Sequence, residues 1–213
     1  MVKAILFDFD GTLADTAPGI VKTMECTFQE MGLPIPSEQD MRATIGLPLS
    51  KALQMLNGLD DKATDRATEI YRRLFVTVEA SLITIFPEGK EILQSLHDKG
   101  IRLAICTSRN VESLDMILQH HDIGKFFETK ITNSDNLAPK PAPDMVLALL
   151  ERMHISAGEA LVVGDTTFDI EMGNSAGCRT IAVTYGNHPA ERIASSHPSA
   201  MIDSFGKLLD EIR

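Results

Sequence analysis

Apolar and polar positions follow two rhythms along the chain. Short, nearly unbroken apolar runs occur at residues 4–7, 101–106, 160–163 and 180–183. Between them, apolar residues recur at helical spacing over 88–99, 111–120, 144–153 and 168–176. Strands apolar along their whole length and separated by amphipathic helices predict a parallel sheet covered on both faces. The sequence His97-Asp98-Lys99-Gly100 predicts a helix end closed by glycine.

One stretch departs from this rhythm. From Asp15 to Ile85 no strand is predicted, and helical patterns follow one another at 20–31, 37–45, 49–56 and 61–80. Gly32-Leu33-Pro34-Ile35-Pro36, Gly46-Leu47-Pro48 and Asn57-Gly58 separate them. The pattern predicts a small helical bundle inserted after the first strand. The expected division is an α/β core domain of residues 1–14 and 86–213 and a helical domain of residues 15–85.

Composition narrows the function classes. The 213 residues carry 20 basic and 30 acidic side chains, a formal charge of −10, which argues against nucleic acid as a partner. Cys26, Cys106 and Cys178 show neither a disulfide framework nor zinc spacing. No signal-like segment opens the sequence, and no apolar run approaches the roughly 20 residues needed to span a bilayer. A cytoplasmic protein with no membrane partner is expected, as a monomer or weak homodimer.

The predicted strand ends carry the candidate chemistry. The first ends in Asp8-Phe9-Asp10-Gly11-Thr12, with two carboxylates on one face of the strand. Such crowding calls for a cation or a retained proton. The second ends in Cys106-Thr107-Ser108-Arg109, and a later one in Gly164-Asp165-Thr166-Thr167-Phe168-Asp169. Ligands of open α/β sheets bind beyond the carboxyl ends of the strands, so three runs deliver acids and hydroxyls to one edge. Lys140, ahead of Pro141 and Pro143 and a predicted helix, offers a fixed positive charge.

Each feature also has an ordinary explanation. Asp8 and Asp10 could open an Asp-Gly turn, and Thr107-Ser108 could cap a helix. Lys140 could be a solvated loop residue. Asp165 and Asp169 could be a cap and a first-turn acid. Their joint occurrence, in order and at strand ends, argues against four coincidences. His120 and His121 are adjacent and do not share a helix face. Arg66, Arg72 and Arg73 lie among Asp61, Asp65 and Glu69, and an exposed ion-paired face is expected there.

Asp8-x-Asp10-Gly11-Thr12, Thr107, Lys140 and Gly164-Asp165-x-x-x-Asp169 together resemble the four motifs of the haloacid-dehalogenase superfamily, in order and across nearly the whole chain. The helical insert resembles the cap domain of its phosphoglycolate phosphatase and β-phosphoglucomutase branch, and Ile45-Gly46-Leu47-Pro48-Leu49 resembles the cap loop of phosphoglycolate phosphatases. The resemblance implies a Rossmann-like core with an α-helical cap, and a Mg²⁺-dependent phosphatase acting on a small phosphorylated metabolite. It makes Asp8 the nucleophile that forms an aspartyl-phosphate and Asp10 the general acid and base. Mg²⁺ is expected at Asp8, the Asp10 carbonyl and Asp165, with Asp169 binding or supporting it. Thr107, Ser108, Arg109 and Lys140 are expected to hold the phosphate, and Gly46 and Leu47 to meet the substrate from the cap.

Ser108 and Arg109 depart from the Asn and Lys of many relatives. The dehalogenases lack the second aspartate, so Asp10 favours phosphate chemistry. Phosphoglycolate is the leading substrate. Inorganic pyrophosphate, a sugar phosphate or a nucleotide are alternatives, as is a sugar-phosphate mutase. Residues 42–46 lack the Arg-Leu-Lys-Gly stretch of β-phosphoglucomutases, which disfavours the mutase. A non-catalytic phosphometabolite-binding protein would be expected to lose a motif acid, and none is lost.

Overall fold

A computed structural model describes residues 2–78 and 82–212. The strands are β1 (Ala4–Phe7), β2 (Ala14–Asp15), β3 (Thr84–Ile85), β4 (Arg102–Cys106), β5 (Phe127–Ile131), β6 (Ala160–Gly164), β7 (Arg179–Val183) and β8 (Ala200–Ile202). The first four helices are α1 (Ala17–Met31), α2 (Glu38–Ala43), α3 (Leu49–Asn57) and α4 (Asp61–Val78). The others are α5 (Gly89–Asp98), α6 (Val111–His120), α7 (Asp144–Met153), α8 (Thr167–Ser175), α9 (Ala190–Ala194) and α10 (Leu208–Glu211).

Six strands form one parallel sheet in the order β5-β4-β1-β6-β7-β8. The chain winds outward from β1 first to one side and then to the other, placing the topological switch between β1 and β6. Alternation along β1 divides the core. Ile5 and Phe7 face α5 and α6 with Leu93, Leu96 and Leu114, while Ala4 and Leu6 face α7 and α8 with Met145, Leu149 and Met172. Burying each such large apolar side chain contributes roughly 1.5–3 kcal/mol.

The four inner strands were predicted; β5 and β8 were not. Both lie at sheet edges. The β5 sequence Phe-Glu-Thr-Lys-Ile leaves most positions half-buried or exposed, so the apolar run that marks an inner strand is missing. A second correction falls within the stretch expected to hold no strand. Asp15 and Thr84–Ile85 take part in a two-stranded antiparallel ribbon, β2 with β3, and the Phe86 N–H continues it by donating to the Leu13 carbonyl at 3.1 Å. The chain thus leaves and re-enters the sheet region through adjacent, hydrogen-bonded segments.

The insert packs through the apolar faces of α1, α3 and α4, with Met24, Phe28, Leu53, Ala67, Tyr71 and Phe75 buried. Gly32 closes α1 in the left-handed conformation, its N–H donating to the Gln29 carbonyl at 3.1 Å. The helix predicted over 61–80 runs to Val78; Ala80 lies outside the described residues. Arg73 pairs at 2.5 Å with Glu30 of α1 rather than with an acid of its own helix. No helix among the described residues is long and apolar enough to cross a membrane.

Candidate active site at the carboxyl edge of the sheet

β1 places its acids by extending its ladder one residue. The Asp8 N–H donates to the Val163 carbonyl of β6 at 2.9 Å. The chain then turns sharply, with the N–H groups of Leu13 and Ala14 both donating to the Phe9 carbonyl. Gly11 occupies this turn at φ +88°, and an added Cβ would lie 2.2 Å from both Asn187 Nδ2 and Asp165 Oδ2. Only glycine fits this conformation and this approach.

Asp8, Asp165 and Asp169 offer carboxylate oxygens that all lie within 4.8 Å of one another. They are 4%, 0% and 1% exposed. Lys140, itself 1% exposed, donates to Asp8 Oδ1 at 2.5 Å and to Asp169 Oδ1 at 2.7 Å. The reading of Lys140 as a solvated loop residue is therefore excluded. Its ammonium lies between two acids, away from the walls of the adjoining cavity.

Three carboxylates and one ammonium leave an excess of two negative charges in a buried space, which the protonation equilibria register. Burial, with the Asp169 charge, pushes Asp165 up to about 7 against the hydrogen bonds it accepts. Burial likewise holds Asp8 well above the usual carboxylate range; Lys140 offsets part of this, and the neighbouring carboxylates add to it. Burial opposes the charge of Lys140, but Asp169 and Asp8 outweigh it and raise its pKa. A buried all-oxygen donor set short of two positive charges fits a hard divalent cation such as Mg²⁺.

The acids are held differently. Asp165 Oδ1 accepts from Thr12 Oγ1 at 3.1 Å, and its Oδ2 accepts from the Asn187 N–H at 2.7 Å and from Asn187 Nδ2 at 2.9 Å. Asn187 Nδ2 also donates to the Asp10 carbonyl at 3.2 Å. Asp169 is the third residue of α8 and completes a capping box with Thr166. Its Oδ2 accepts from the Thr166 N–H and hydroxyl, at 3.0 and 2.6 Å. Asp169 therefore serves as a helix-start acid and as a partner of Lys140 at once.

The Asp10 side chain has a partner of its own. The Arg109 guanidinium grips it with both Nε and Nη2, the shortest contact being 2.5 Å. Arg109 also lies 5.3 Å from the centre of the Phe75 ring on α4. Thr107 is fully buried beyond β4, where its N–H donates to the Ile131 carbonyl and its Oγ1 accepts from the Arg109 N–H. The cap of α6 is Asn110, not Thr107 or Ser108. Ser108 Oγ instead donates to the Gly46 carbonyl of the insert at 2.8 Å.

A cavity of about 470 Å³ separates the sheet edge from the insert. Asp8, Asp10, Thr107, Ser108, Arg109, Gly46 and Leu47 line it, whereas Lys140, Asp165 and Asp169 lie outside its lining. Asn187 and His188 come from the segment after β7; Asn187 was not singled out in the sequence, and His188 has no ligand-like spacing there. His188 is 2% exposed, and its Nδ1 accepts from the Thr167 N–H at 3.2 Å. Their position after an apolar strand, on the same edge as the motif residues, is the signal that could have found them.

Comparison with known proteins identifies the family. Residues 5–183 match the family model described as haloacid dehalogenase-like hydrolase. A Dickeya dadantii protein named "Probable phosphatase IndB" is 33% identical over 98% of this chain and 93% of its own length. A phosphoglycolate phosphatase of Vibrio parahaemolyticus is 30% identical over 99% and 96%. The crystal structure of a haloacid dehalogenase-like hydrolase from Bacteroides fragilis superposes with a TM-score of 0.93 at 26% identity, covering 98% of this chain and 100% of that one. With its motif residues gathered at one sheet edge, the chain belongs to the haloacid dehalogenase-like hydrolase family, as a member of the phosphatase type.

Proposed function

We propose that the protein is a Mg²⁺-dependent phosphatase that hydrolyses a small phosphorylated metabolite through an aspartyl-phosphate on Asp8. The observation that carries this reading is a buried carboxylate, fixed by Lys140, at the wall of a cavity whose sheet-side end is polar. Asp8 attacks phosphorus, forming the acyl phosphate as the bond to the substrate alcohol breaks. Asp10, aimed by Arg109, gives a proton to the departing alkoxide and later takes one from the water that cleaves the acyl phosphate. The Thr107 hydroxyl and the backbone N–H of Ser108 steady the phosphoryl oxygens, and Lys140 fixes the attacking carboxylate. Asp8, Asp165 and the Asp10 carbonyl would hold Mg²⁺, which would supply the positive charge that the acid cluster lacks and that an incoming phosphate requires. Asp169 positions Lys140 and the start of α8. Residues 15–85 act as the cap that excludes water, and residues 1–14 and 86–213 as the catalytic core.

The test is phosphate release from a panel of phosphomonoesters, with Mg²⁺ and with chelator, using phosphoglycolate as the reference ester. Release that depends on Mg²⁺ and falls about a thousandfold or more in Asp8→Asn is expected. Near-normal turnover by Asp8→Asn with its fold intact would remove the nucleophile assignment.

A further inference from the structure

We infer that the alcohol half of the substrate is uncharged and carries an apolar or aromatic body; this rests on the phosphatase reading above and deepens it. The cavity's volume of about 470 Å³ falls within the roughly 300–1,000 Å³ of pockets that enclose drug-sized ligands. Its two ends differ in chemistry. The sheet end presents the acids, hydroxyls and Arg109. The insert end presents Ile20 and Met24, one turn apart on α1, Ala52 on α3, and Tyr71 and Phe75, one turn apart on α4. The Tyr71 and Phe75 ring centres are 6.5 Å apart, forming an aromatic pair in that lining.

Charge at that end is sparse. Among the described residues, Arg72 is the insert's only charged residue lining the cavity, and it is exposed. The cavity's other cation, Arg109, is paired with Asp10. A carboxylate or second phosphate lodged against Ile20 and Met24 would meet no cation of the insert but the exposed Arg72, and Arg109 beside Phe75 is already committed to Asp10, so it would lose hydration without a dedicated partner. An uncharged apolar or aromatic group meets no such penalty and gains by leaving water. The geometry therefore favours a phosphomonoester of a bulky apolar or aromatic alcohol over a two-carbon phosphoacid or pyrophosphate.

The experiment compares kcat/KM of the Mg²⁺-loaded wild-type protein for ethyl phosphate, 2-phenylethyl phosphate and phosphoglycolate. The 2-phenylethyl ester is expected to exceed both others by about tenfold or more. In Phe75→Ala the ratio of the two esters with uncharged alcohol halves is expected to collapse towards one. A general loss of folded enzyme lowers both esters together and leaves that ratio unmoved. A ratio unchanged in Phe75→Ala overturns the inference. Equal or faster turnover of phosphoglycolate also overturns it while leaving the phosphatase reading standing. Absence of release from all three esters removes both.

Discussion

Ser108 Oγ donates to the Gly46 carbonyl at 2.8 Å, joining the end of β4 to the loop between α2 and α3. A core residue at the rim of the acid site thus senses directly whether the insert is seated. Gly46 is held at φ +98°, and a Cβ there would lie 3.2 Å from Thr166 Cγ2. Ser108→Ala removes one hydrogen bond worth about 0.5–1.5 kcal/mol, so a fall in Tm of a few degrees at most is expected, with a rise in KM of roughly threefold to tenfold. Gly46→Ala, which adds backbone strain and a contact against the core, is expected to cost more. Steady-state kinetics on both variants decide this, and a Gly46→Ala variant milder than Ser108→Ala would sink it.

Lys140 is the only cation within hydrogen-bonding reach of Asp8 and Asp169 among the described residues. Lys140→Met leaves buried carboxylates without their partner, a type of change that costs about 3–5 kcal/mol. Urea unfolding of metal-free protein at pH 7 should register a loss of this order. A variant as stable as wild type would mean that water already relieves the cluster.

The two uncompensated charges make binding of a divalent cation measurable without turnover. Mg²⁺ titrated into metal-free protein should raise Tm with concentration, since a ligand present at a hundred times its Kd adds about 2.7 kcal/mol to the folded state. For a chain of this length each kcal/mol corresponds to roughly 2–4 °C. Asp165→Asn should abolish most of that rise. A Tm unmoved by millimolar Mg²⁺ in the wild type would count against the site.

His188 gives the fold an acid-sensitive point. Burial, followed by the Arg192 charge on α9, pushes its pKa down to about 4, while Asp169 on α8 and the Ala43 carbonyl of α2 pull it upward. Its Nδ1 accepts the Thr167 N–H and loses that ability when protonated. The unfolded imidazole takes up its proton near 6.5, so between 6.5 and about 4 the unfolded chain binds the additional proton. The stability contributed by neutral His188 is therefore complete above pH 6.5 and is lost as pH falls to about 4. Urea midpoints at pH 7 and 4.5 should differ less in His188→Gln than in wild type. Equal differences would show that other groups set the acid limit.

What was legible in the sequence followed from burial. Inner strands are apolar at every position, so β1, β4, β6 and β7 stood out, and the acids and hydroxyls at the ends of β1, β4 and β6 were conspicuous against them. The edge strands β5 and β8 lack that contrast. Thr107 and Ser108 resembled a cap because hydroxyls after a strand commonly cap the next helix; Asn110 takes that place instead. Lys140 stood out through its flanking prolines, but its place between two acids did not, because no local pattern brings residues 8 and 169 to it. Asn187 remained hidden for a related reason. An uncharged amide in a loop carries no compositional signal, and its three hydrogen bonds to Asp165 and Asp10 exist only after β7 is laid beside β6.

The pairing of β1 has a consequence for biosynthesis. Ala4 is matched with Arg102 on one side and Ala160 on the other. The strand that leads into Asp8 is synthesised before both of its neighbours, and neither exists until the whole insert has emerged. The helices of the insert can meet one another locally, whereas the sheet depends on slow, distant pairings. A nascent chain interrupted before Ala160 therefore carries the aspartates of β1 beside an unpaired strand edge, without a site and exposed to misassociation.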